Sequence, residues 1–520
     1  MRFHAESSRQ SYDAIVVGAG VGGLTLASLL ARAGLETLVV ERHDRVGGYA
    51  HAFRRGRYLF DSAVHLVGGC DPVPYEGGGL LHRVLEAVGA RERCHFVRVD
   101  PCYAAIFPDA SFEAPAELDE FVRWHVELFP EERKGVTQFV QECLNIRREV
   151  RAAAELEGGV ADVHTAKRFP TLMRYRRATL ANVLDAHIES SQLKALLATL
   201  WPYLGLAPAR LSFLYYATML MSYVADGAYY CRGSFQRFAD ALAESFTEQR
   251  GEILLRSAVR RIVVEDGRAS GVVLENGQQI SAPRVFSNAD ARQTVEELVG
   301  TEAFPTEYVD RLRSLRPSLS AFVVYLGGRF SQGALPAQHE TFLYGDWNHE
   351  RSYRDTLAGT PSWVSVTVPT HLDPTLAPAG EQLAVLTTLA PSGLGVGSRD
   401  EKQAVTERLL DLAAQQFPAL RDEATFVEAA TPRTMERYTR NSAGAIYGWE
   451  LTPDQVGPGR PGVRTPIDGL KLVGHWAQPG GGIYGVVTSG VQAARETLGM
   501  KTEAELWRLL ESAAANGRAT

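Results

Sequence analysis

Short apolar runs and a longer helix-like run alternate at the start of the chain, and each predicts one kind of element. The runs at 14–17 and 38–40 are unbroken and rich in valine, which is typical of strands buried on both faces of a parallel sheet. Between them, residues 24–33 have a helix-forming composition and stop at Gly34, a residue that suits the left-handed position after a helix. The pattern therefore predicts a strand, a helix and a second strand.

The remaining patterns predict further elements in a less regular order. Helical spacing occurs in 80–88, in 121–157 with an interruption at Pro130 and an end at Gly158, in 234–248, and in 402–417. Strand patterns separated by Asp-Gly, Asn-Gly, proline or glycine turns occur in 97–107, 253–277, 280–289, 321–390 and 470–473. We interpret 321–390 as an antiparallel sheet and 501–520 as a surface helix with a frayed tail.

The segment Leu172–Tyr230 is the most lipophilic part of the chain. Core packing explains such residues one at a time. More large side chains crowd together here than one buried helix needs, namely Trp201, Tyr203, Phe213, Tyr215, Tyr216, Met219, Met221 and Tyr223. The excess predicts an apolar tunnel or a membrane-facing entrance, with an ordinary core as the alternative.

Composition narrows the possible partners. The net charge of −7 argues against a nucleic-acid binder, which would show a basic excess. The five cysteines contain no C-x-x-C pair, so neither a metal cluster nor a disulfide framework is indicated. No apolar run approaches the roughly 18 residues of a membrane span. We expect a cytoplasmic protein that binds a small molecule.

Three glycines follow the first predicted strand with the spacing G-x-G-x-x-G. Gly18 suits a tight turn, Gly20 allows the backbone to approach a diphosphate, and Gly23 allows close packing of helix on strand. Glu41 ends the second strand, where an acidic side chain accepts a hydrogen bond from a ribose 2′-hydroxyl. Strand, glycines, helix and acid in this order predict a nucleotide site.

Four motifs carry a resemblance to known families. Val46-Gly47-Gly48 after Glu41-Arg42 resembles the second glycine pair of two-dinucleotide-binding flavoproteins. The segment FDSAVHLVGG at 60–69, with AIYGWE and GHWAQPGGG near the C-terminus, resembles the carotenoid desaturases, carotenoid cis–trans isomerases and retinol saturases. The resemblance implies non-covalent FAD and a hydrophobic polyene or isoprenoid substrate. Ser62-Ala63 departs from the family pattern.

The resemblance also implies an α/β fold in which a Rossmann-type FAD domain, like that of glutathione reductase and amine oxidases, receives a mixed α+β substrate domain as insertions. We assign 1–110, 225–300 and 430–500 to the FAD domain. We assign 111–224 and 301–429 to the substrate domain, and 501–520 to a C-terminal helix and tail. An apolar substrate would allow peripheral contact with a membrane. The oligomeric state stays open.

The cofactor residues expected from the glycine spacing and the resemblance lie in six parts of the chain. Val259 is the position that meets the adenine through its backbone in similar flavoproteins, and the helix after Pro479 presents its N-terminus to the flavin. The full set is Gly18, Gly20, Val21, Gly22, Gly23, Glu41, Arg42, Gly47, Gly48, Tyr49, Asp61, His65, Val259, Asn288, Gly474, Gly482, Ile483, Gly485 and Val486.

The flavin itself carries out hydride transfer, so the reaction does not need a catalytic triad or a metal cluster from the protein. Proton transfer would need a side chain near the ring. The candidates are His65, Tyr447, Glu450, His475 and Tyr484, each of which could equally be a hydrogen-bonded structural residue.

Three functions fit these observations. The first is an FAD-dependent desaturase, saturase or isomerase of a polyene. The second is a flavin oxidase or dehydrogenase of another substrate class, such as an amine or a biosynthetic tailoring intermediate. The third is a non-enzymatic isoprenoid-binding protein of the GDP-dissociation-inhibitor type, against which the intact C-terminal glycine loop counts.

Overall fold

Five parallel strands from distant parts of the chain form the central sheet of the computed structural model, which describes residues 6–71, 79–156 and 166–517. Their order across the sheet is Glu252–Leu254, Thr37–Val40, Ala14–Val17, Val285–Ser287 and Leu470–Leu472. The middle strand is buried on both faces, which explains its unbroken apolar run. This sheet confirms the predicted Rossmann-type α/β fold.

Three helices pack together on this sheet. Val21–Arg32 follows the middle strand and contacts both Phe235–Glu248 and Ile483–Thr497. Gly34 has φ +94°, the left-handed conformation predicted for the residue after the first helix. The segments near 21, 235 and 483 are therefore neighbours in the fold although they are far apart in the sequence.

The predicted hairpins form a small antiparallel sheet beside the central one. Its strands are Val259–Glu265, Arg268–Leu274 and Gln279–Ser281. Asp266 and Gly267 both have positive φ at the first turn, as an Asp-Gly hairpin turn requires.

A second large sheet has seven strands and extends beyond the predicted 321–390. The order is Ala424–Ala430, Ser320–Gly328, Gln382–Ala390, Trp363–Thr367, Glu340–Tyr344, Tyr103–Phe107 and Ala110–Ala114. All pairings are antiparallel except that of Glu340–Tyr344 with Tyr103–Phe107, which is parallel. Within the predicted range 321–390 all pairings are antiparallel, which confirms that expectation, and the parallel pair arises from a strand outside this range.

The strand Tyr103–Phe107 corrects one prediction from the sequence. The sequence predicted a single strand at 97–107 and grouped residues up to 110 with the nucleotide-binding segments. The structure has two strands, Phe96–Arg98 and Tyr103–Phe107, and the second belongs to the seven-stranded sheet. Pro101 separates them because proline lacks an N–H for the ladder and restricts the residue before it.

The segments between the sheets are helical, as predicted. The helices of the first insertion are Leu118–Leu128, Arg133–Ala154, Pro170–Tyr175, Leu180–His187, Ser191–Leu197 and Phe213–Val224. The predicted interruption at Pro130 is confirmed by the short 3-10 turn Pro130–Glu132. The predicted helix end at Gly158 lies outside the described residues.

The other elements close the fold around the two large sheets. Short strands are Ala52–Arg55, Tyr58–Asp61, Val67–Gly68 and Ala228–Cys231, and further helices are Leu80–Val88, Thr306–Ser314, His349–Leu357, Arg399–Ala414, Pro432–Thr439 and Glu503–Gly517. Within the described ranges, no helix is both long enough and apolar enough to cross a membrane.

The two faces of the seven-stranded sheet belong to different cores. On one face Leu343 and Val364 pack in a cluster with Leu409 of the helix Arg399–Ala414. On the other face Phe342 and Tyr344 pack in the cluster that includes the helical insertion. We call the second face the inner face, because it looks towards the cofactor cleft described below.

Candidate active site

A deep cleft opens where the parallel strands of the central sheet end. Val17 and Val40, the last residues of their strands, lie in its lining, and Asn288 follows the neighbouring strand. Ligands of open parallel sheets bind outside the carboxyl ends of the strands. The nucleotide site predicted from the glycine spacing is therefore at the expected edge of the sheet.

The first glycine loop is packed too closely for side chains. A Cβ on Gly23 would lie 2.3 Å from the carbonyl oxygen of Gly18, and a Cβ on Gly20 would lie 2.8 Å from Nδ2 of Asn288. The helix that starts at Val21 has no side-chain cap, so its first N–H groups face the cleft. This helix start offers N–H donors and partial positive charge to a diphosphate.

The second glycine pair packs directly on the first loop. Gly47 N–H donates to the carbonyl of Ala19 at 2.8 Å, and a Cβ on Gly48 would lie 3.1 Å from the Cα of Gly20. Gly47 and Gly48 also have positive φ of +118° and +57°. The chain can pass this close to the cleft only with glycine at both positions.

Glu41 organises the backbone around the cleft. Its carboxylate accepts from the N–H of Ala19 at 2.8 Å and from the N–H of His43 at 2.8 Å. The side chain stays partly accessible at the cleft surface, where it can also accept from a ribose hydroxyl. Arg42 also lines the cleft, where burial lowers its pKa, and it donates to the carbonyl of Arg437 at 2.9 Å.

Asn288 contacts both the N-terminal glycine loop and Gly474 near the C-terminal glycine loop. Its Nδ2 donates to the carbonyl of Gly18 at 3.3 Å. A Cβ on Gly22 would lie 3.0 Å from its Oδ1, and a Cβ on Gly474 would lie 2.3 Å from the same atom. Gly22 and Gly474 are therefore required by the packing of Asn288, and Gly474 is not part of the cleft lining.

The C-terminal glycine loop forms the opposite side of the cleft. Gly482, with φ +79°, precedes the helix Ile483–Thr497, which has no side-chain cap either. Gly482, Ile483 and Val486 line the cleft. Gly485 does not; it packs against the carbonyl of Gly480, 2.6 Å from where its Cβ would lie.

Two of the five proton-transfer candidates lie in the cleft lining. His475 is neutral at neutral pH, because burial, helped by the nearby Arg460 cation, lowers its pKa to about 3. Burial raises the pKa of Tyr447, whose hydroxyl donates to the carbonyl of Pro202 at 3.1 Å. Both side chains can donate a proton in a hydrogen bond, and neither is charged.

Two more candidates lie just outside the lining. His65 is buried next to the cleft residue Val64; burial lowers its pKa to about 3, and its Nε2 has no hydrogen-bond partner in the described part of the chain. Tyr484 follows Ile483, and its hydroxyl accepts from Arg151 at 3.1 Å. Burial raises the pKa of Tyr484, although Arg151 acts in the opposite direction.

The structure separates Glu450 and Asp61 from the cleft lining. The Glu450 carboxylate is ion-paired with Arg210 and Arg316, each at 2.8 Å. Asp61 is buried, and its two oxygens accept from the hydroxyl of Tyr230 at 2.6 Å and from the N–H of Phe235 at 2.7 Å. Both carboxylates hold protein segments together, which corrects the expectation that they face the flavin.

Several residues of the cleft lining were not predicted from the sequence. They are mainly polar or aromatic side chains on segments already recognised as part of the motif: His43, His51, Tyr438, Thr439, Arg440 and Asn441. Asn441 shows their role, since its Nδ2 donates to the Tyr49 hydroxyl at 3.4 Å and its Oδ1 accepts from Nε1 of Trp476 at 2.9 Å. The run of polar residues before AIYGWE was the feature of the sequence that could have identified the residues at 438–441.

The residues of the cleft fit a dinucleotide. Two helix starts without side-chain caps face it, glycines occur where any side chain would clash with the loops, and an acid stands at the end of the second strand. Ser257, Ala258 and Val259, which lead into the small sheet, line the end near Glu41, as expected for the adenine side. Fold and cleft are those of a dinucleotide-binding flavoprotein.

Comparison with known proteins identifies the family. The family described as "Flavin containing amine oxidoreductase" matches residues 21–498, and the chain belongs to this family. Its cofactor is FAD. The chain is similar in structure to cyclohexylamine oxidase from Brevibacterium oxydans IH-35A, with a TM-score of 0.60 and 18% sequence identity over 96% of this chain and 99% of that one.

Two similar curated proteins have names that state a polyene substrate. Prolycopene isomerase 1, chloroplastic, from an Oncidium hybrid cultivar is 28% identical over 93% of this chain and 83% of its own length. All-trans-retinol 13,14-reductase from Danio rerio is 24% identical over 86% of this chain and 79% of its own length. The predicted resemblance to the carotenoid isomerases and retinol saturases is confirmed. The protein is an FAD-dependent oxidoreductase by family.

Proposed function

We propose that this protein is an FAD-dependent desaturase, saturase or cis–trans isomerase that acts on a hydrophobic polyene or isoprenoid-like substrate. The observation that carries the proposal is Tyr447, which lines the cofactor cleft and donates to the carbonyl of Pro202, the residue before an aromatic cluster. The names of the curated relatives support the same substrate class.

The aromatic cluster lies next to the hydroxyl of Tyr447. The Tyr447 hydroxyl bonds to Pro202, and the next residue, Tyr203, lies 6.0 Å from the ring of Tyr223 and 5.4 Å from that of Phe342. Phe342 is on the inner face of the seven-stranded sheet. We call Tyr203, Tyr223, Phe342 and the accessible face of helix Phe213–Val224 the aromatic wall.

One face of this helix is accessible although the helix is inside the protein. Leu214, Tyr215, Thr218, Met219 and Tyr223 retain accessible surface, while the residues between them are buried. Burial nevertheless raises the pKa of Tyr215 to about 12 and raises that of Tyr223 as well. The proposed substrate tunnel runs along this accessible face of the helix.

Bound FAD supplies the transfer of hydride or electrons. The single carboxylate in the lining of the described cleft is Glu41, and both its oxygens are used by backbone N–H groups. Tyr447 and His475 are both neutral, and the Tyr447 hydroxyl donates to the carbonyl of Pro202, next to the aromatic wall. The aromatic wall offers the apolar surface that a hydrocarbon chain needs.

A flavin oxidase of amines or of another polar substrate is the alternative within the same fold. Tyr49, which follows the second glycine pair, donates to the carbonyl of Ala445 at 3.0 Å. It stands where amine oxidases usually carry an arginine. The five cysteines are buried, and none is in the cleft lining for covalent attachment of flavin. A non-enzymatic isoprenoid carrier is the third candidate, and the intact glycine loop before Ile483 counts against it.

The test is anaerobic incubation of photoreduced, FAD-loaded protein with a cis-polyene and, separately, with a panel of amines. We expect a shifted polyene spectrum and no effect of amines. Leu214→Trp, which fills the accessible helix face, should slow the polyene reaction, whereas Leu509→Trp on an exposed helix should not. Flavin redox changes with amines alone would refute the proposal, and a colourless protein that refuses FAD would refute both enzyme functions.

A further inference from the structure

Arg460 is a buried cation behind the C-terminal glycine loop. Only 1% of the residue is exposed. One terminal nitrogen donates to the carbonyl of Trp449 at 2.5 Å, while Nε and the other terminal nitrogen have no hydrogen-bond partner in the described part of the chain. Such an arrangement is costly, because buried charges are normally paired and fully hydrogen-bonded.

No carboxylate of the described residues compensates this charge. The only neighbouring group that favours the charged form is the Tyr215 hydroxyl, and burial lowers the pKa of Arg460 to about 10. That pKa is still well above neutrality, so the guanidinium stays charged. Its influence reaches the cleft, because Arg460 contributes to lowering the pKa of the cleft residue His475.

The glycine loop is built around this guanidinium. A Cβ on Gly480 would lie 1.9 Å from a terminal nitrogen of Arg460, so the guanidinium fills the space that a side chain would take. Tyr215 fixes the same turn by donating to the carbonyl of Gly481 at 2.8 Å. Gly482 and Ile483, on the other side of the turn, line the cleft. One turn of backbone therefore separates the cation from the cofactor site.

We propose that Arg460 stabilises the negative charge of reduced FAD across the glycine loop and so raises the reduction potential of the cofactor. Oxidised flavin takes up two electrons and one proton, and the remaining negative charge is stabilised by the unpaired guanidinium. Arg460 is a positioning residue in this sense, since it touches the loop and not the flavin. The proposal depends on FAD and not on the identity of the substrate.

The charge state can first be tested without a variant, by redox titration of the FAD-loaded protein with a reference dye between pH 6 and 8. One proton per two electrons makes the redox equilibrium constant change tenfold per pH unit, so the midpoint should fall by about 30 mV per unit. A fall of about 59 mV per unit, which corresponds to two protons, would overturn the proposal.

The role of Arg460 itself is tested by Arg460→Met, Arg460→Lys and Gly480→Ala. In Arg460→Met the equilibrium constant for flavin reduction should fall about tenfold, which places the midpoint about 30 mV lower. Arg460→Lys should keep most of the wild-type potential. Gly480→Ala, whose Cβ displaces the guanidinium, should shift the midpoint in the same direction as Arg460→Met and serves if that variant does not fold.

Arg292→Met is the matched control. The guanidinium of Arg292 lies 5.1 Å from the ring of Trp449, the residue whose carbonyl binds Arg460, but its own terminal nitrogen bonds to the carbonyl of Leu315. Removal of this charge should leave the midpoint unchanged. Equal shifts in Arg292→Met and Arg460→Met, or no shift in Arg460→Met and Gly480→Ala, would show that Arg460 only supports the backbone of Trp449.

Discussion

The cofactor cleft and the aromatic wall use different parts of the chain to form their surfaces. The glycine loops of the cleft are formed by backbone, and Gly20, Gly23 and Gly48 leave no space for side chains. The wall is formed by side chains such as Tyr203, Tyr223 and Phe342, which come from a helical insertion and a separate sheet. The cleft therefore depends on a few fixed positions, whereas the wall can change shape without disturbing FAD.

The two faces of helix Phe213–Val224 give the largest expected contrast. Leu220 is fully buried, so Leu220→Ala should lower the free energy of unfolding by about 2–5 kcal/mol. Leu214→Ala, on the accessible face, should cost much less stability and change turnover of the polyene instead. Chemical denaturation and turnover assays measure both, and equal losses of stability would show that the accessible face is ordinary core.

A second variant tests whether the acid of the cleft binds the cofactor. Glu41→Ala removes a carboxylate that can accept a charge-assisted hydrogen bond, so FAD should bind more weakly by about 1.5–3 kcal/mol. Glu36→Ala, at the surface, is the control. Titration of the apoprotein with FAD gives both affinities, and an unchanged affinity for Glu41→Ala would mean that the ribose contact is misassigned.

The dependence of the cleft on glycine is tested by Gly23→Ala. The new Cβ would lie 2.3 Å from the carbonyl oxygen of Gly18, and such overpacking costs about 1–3 kcal/mol. Gly393→Ala is the control, because nothing lies within 4 Å of its Cβ position. We expect weaker FAD binding for Gly23→Ala alone. Full FAD binding by both variants would contradict the backbone basis of the cleft.

The wall should show its own pH dependence through Glu340. This carboxyl is buried on the seven-stranded sheet, accepts from the Thr367 hydroxyl at 2.7 Å and faces Cys102, Tyr203 and Tyr223 with no cation beside it in the described chain. Burial raises its pKa from 4.5 to about 7. The folded state holds this proton more tightly than the unfolded state does. The free energy of unfolding should therefore fall as the pH rises from 4.5 to about 7.

The slope should reach at most about 1.4 kcal/mol per pH unit. Glu340→Gln keeps the shape and removes the titration, so its stability should change less between pH 4.5 and 7. Thermal or chemical denaturation over this range compares the two proteins. Parallel profiles would show that Glu340 does not titrate in the window.

The sequence was most informative where the backbone makes the contacts. The spacing of Gly18, Gly20 and Gly23 predicted the turn between strand and helix, because Gly18 has φ +98° and a Cβ on Gly20 or Gly23 would clash. The C-terminal loop before Ile483 was recognised for the same reason. A backbone requirement leaves a signature at fixed spacing, and such a signature can be read without a structure.

The sequence was least informative where partners come from distant segments. Asp61 stands beside the predicted flavin segment, but Tyr230 and Phe235 occupy its carboxylate. Glu450 follows the motif residue Tyr447, but Arg210 and Arg316 hold it away from the cleft. No local pattern records which residue of a far segment will pair with a carboxylate.

The most direct test of a polyene-binding wall beside an FAD cleft is a crystal structure of the FAD-loaded protein with a bound cis-polyene. FAD should lie along the two glycine loops, with the polyene between Tyr447 and the aromatic wall of Tyr203, Tyr223 and Phe342. A polyene bound elsewhere, or a cavity beside the flavin lined by polar side chains, would contradict the proposed function.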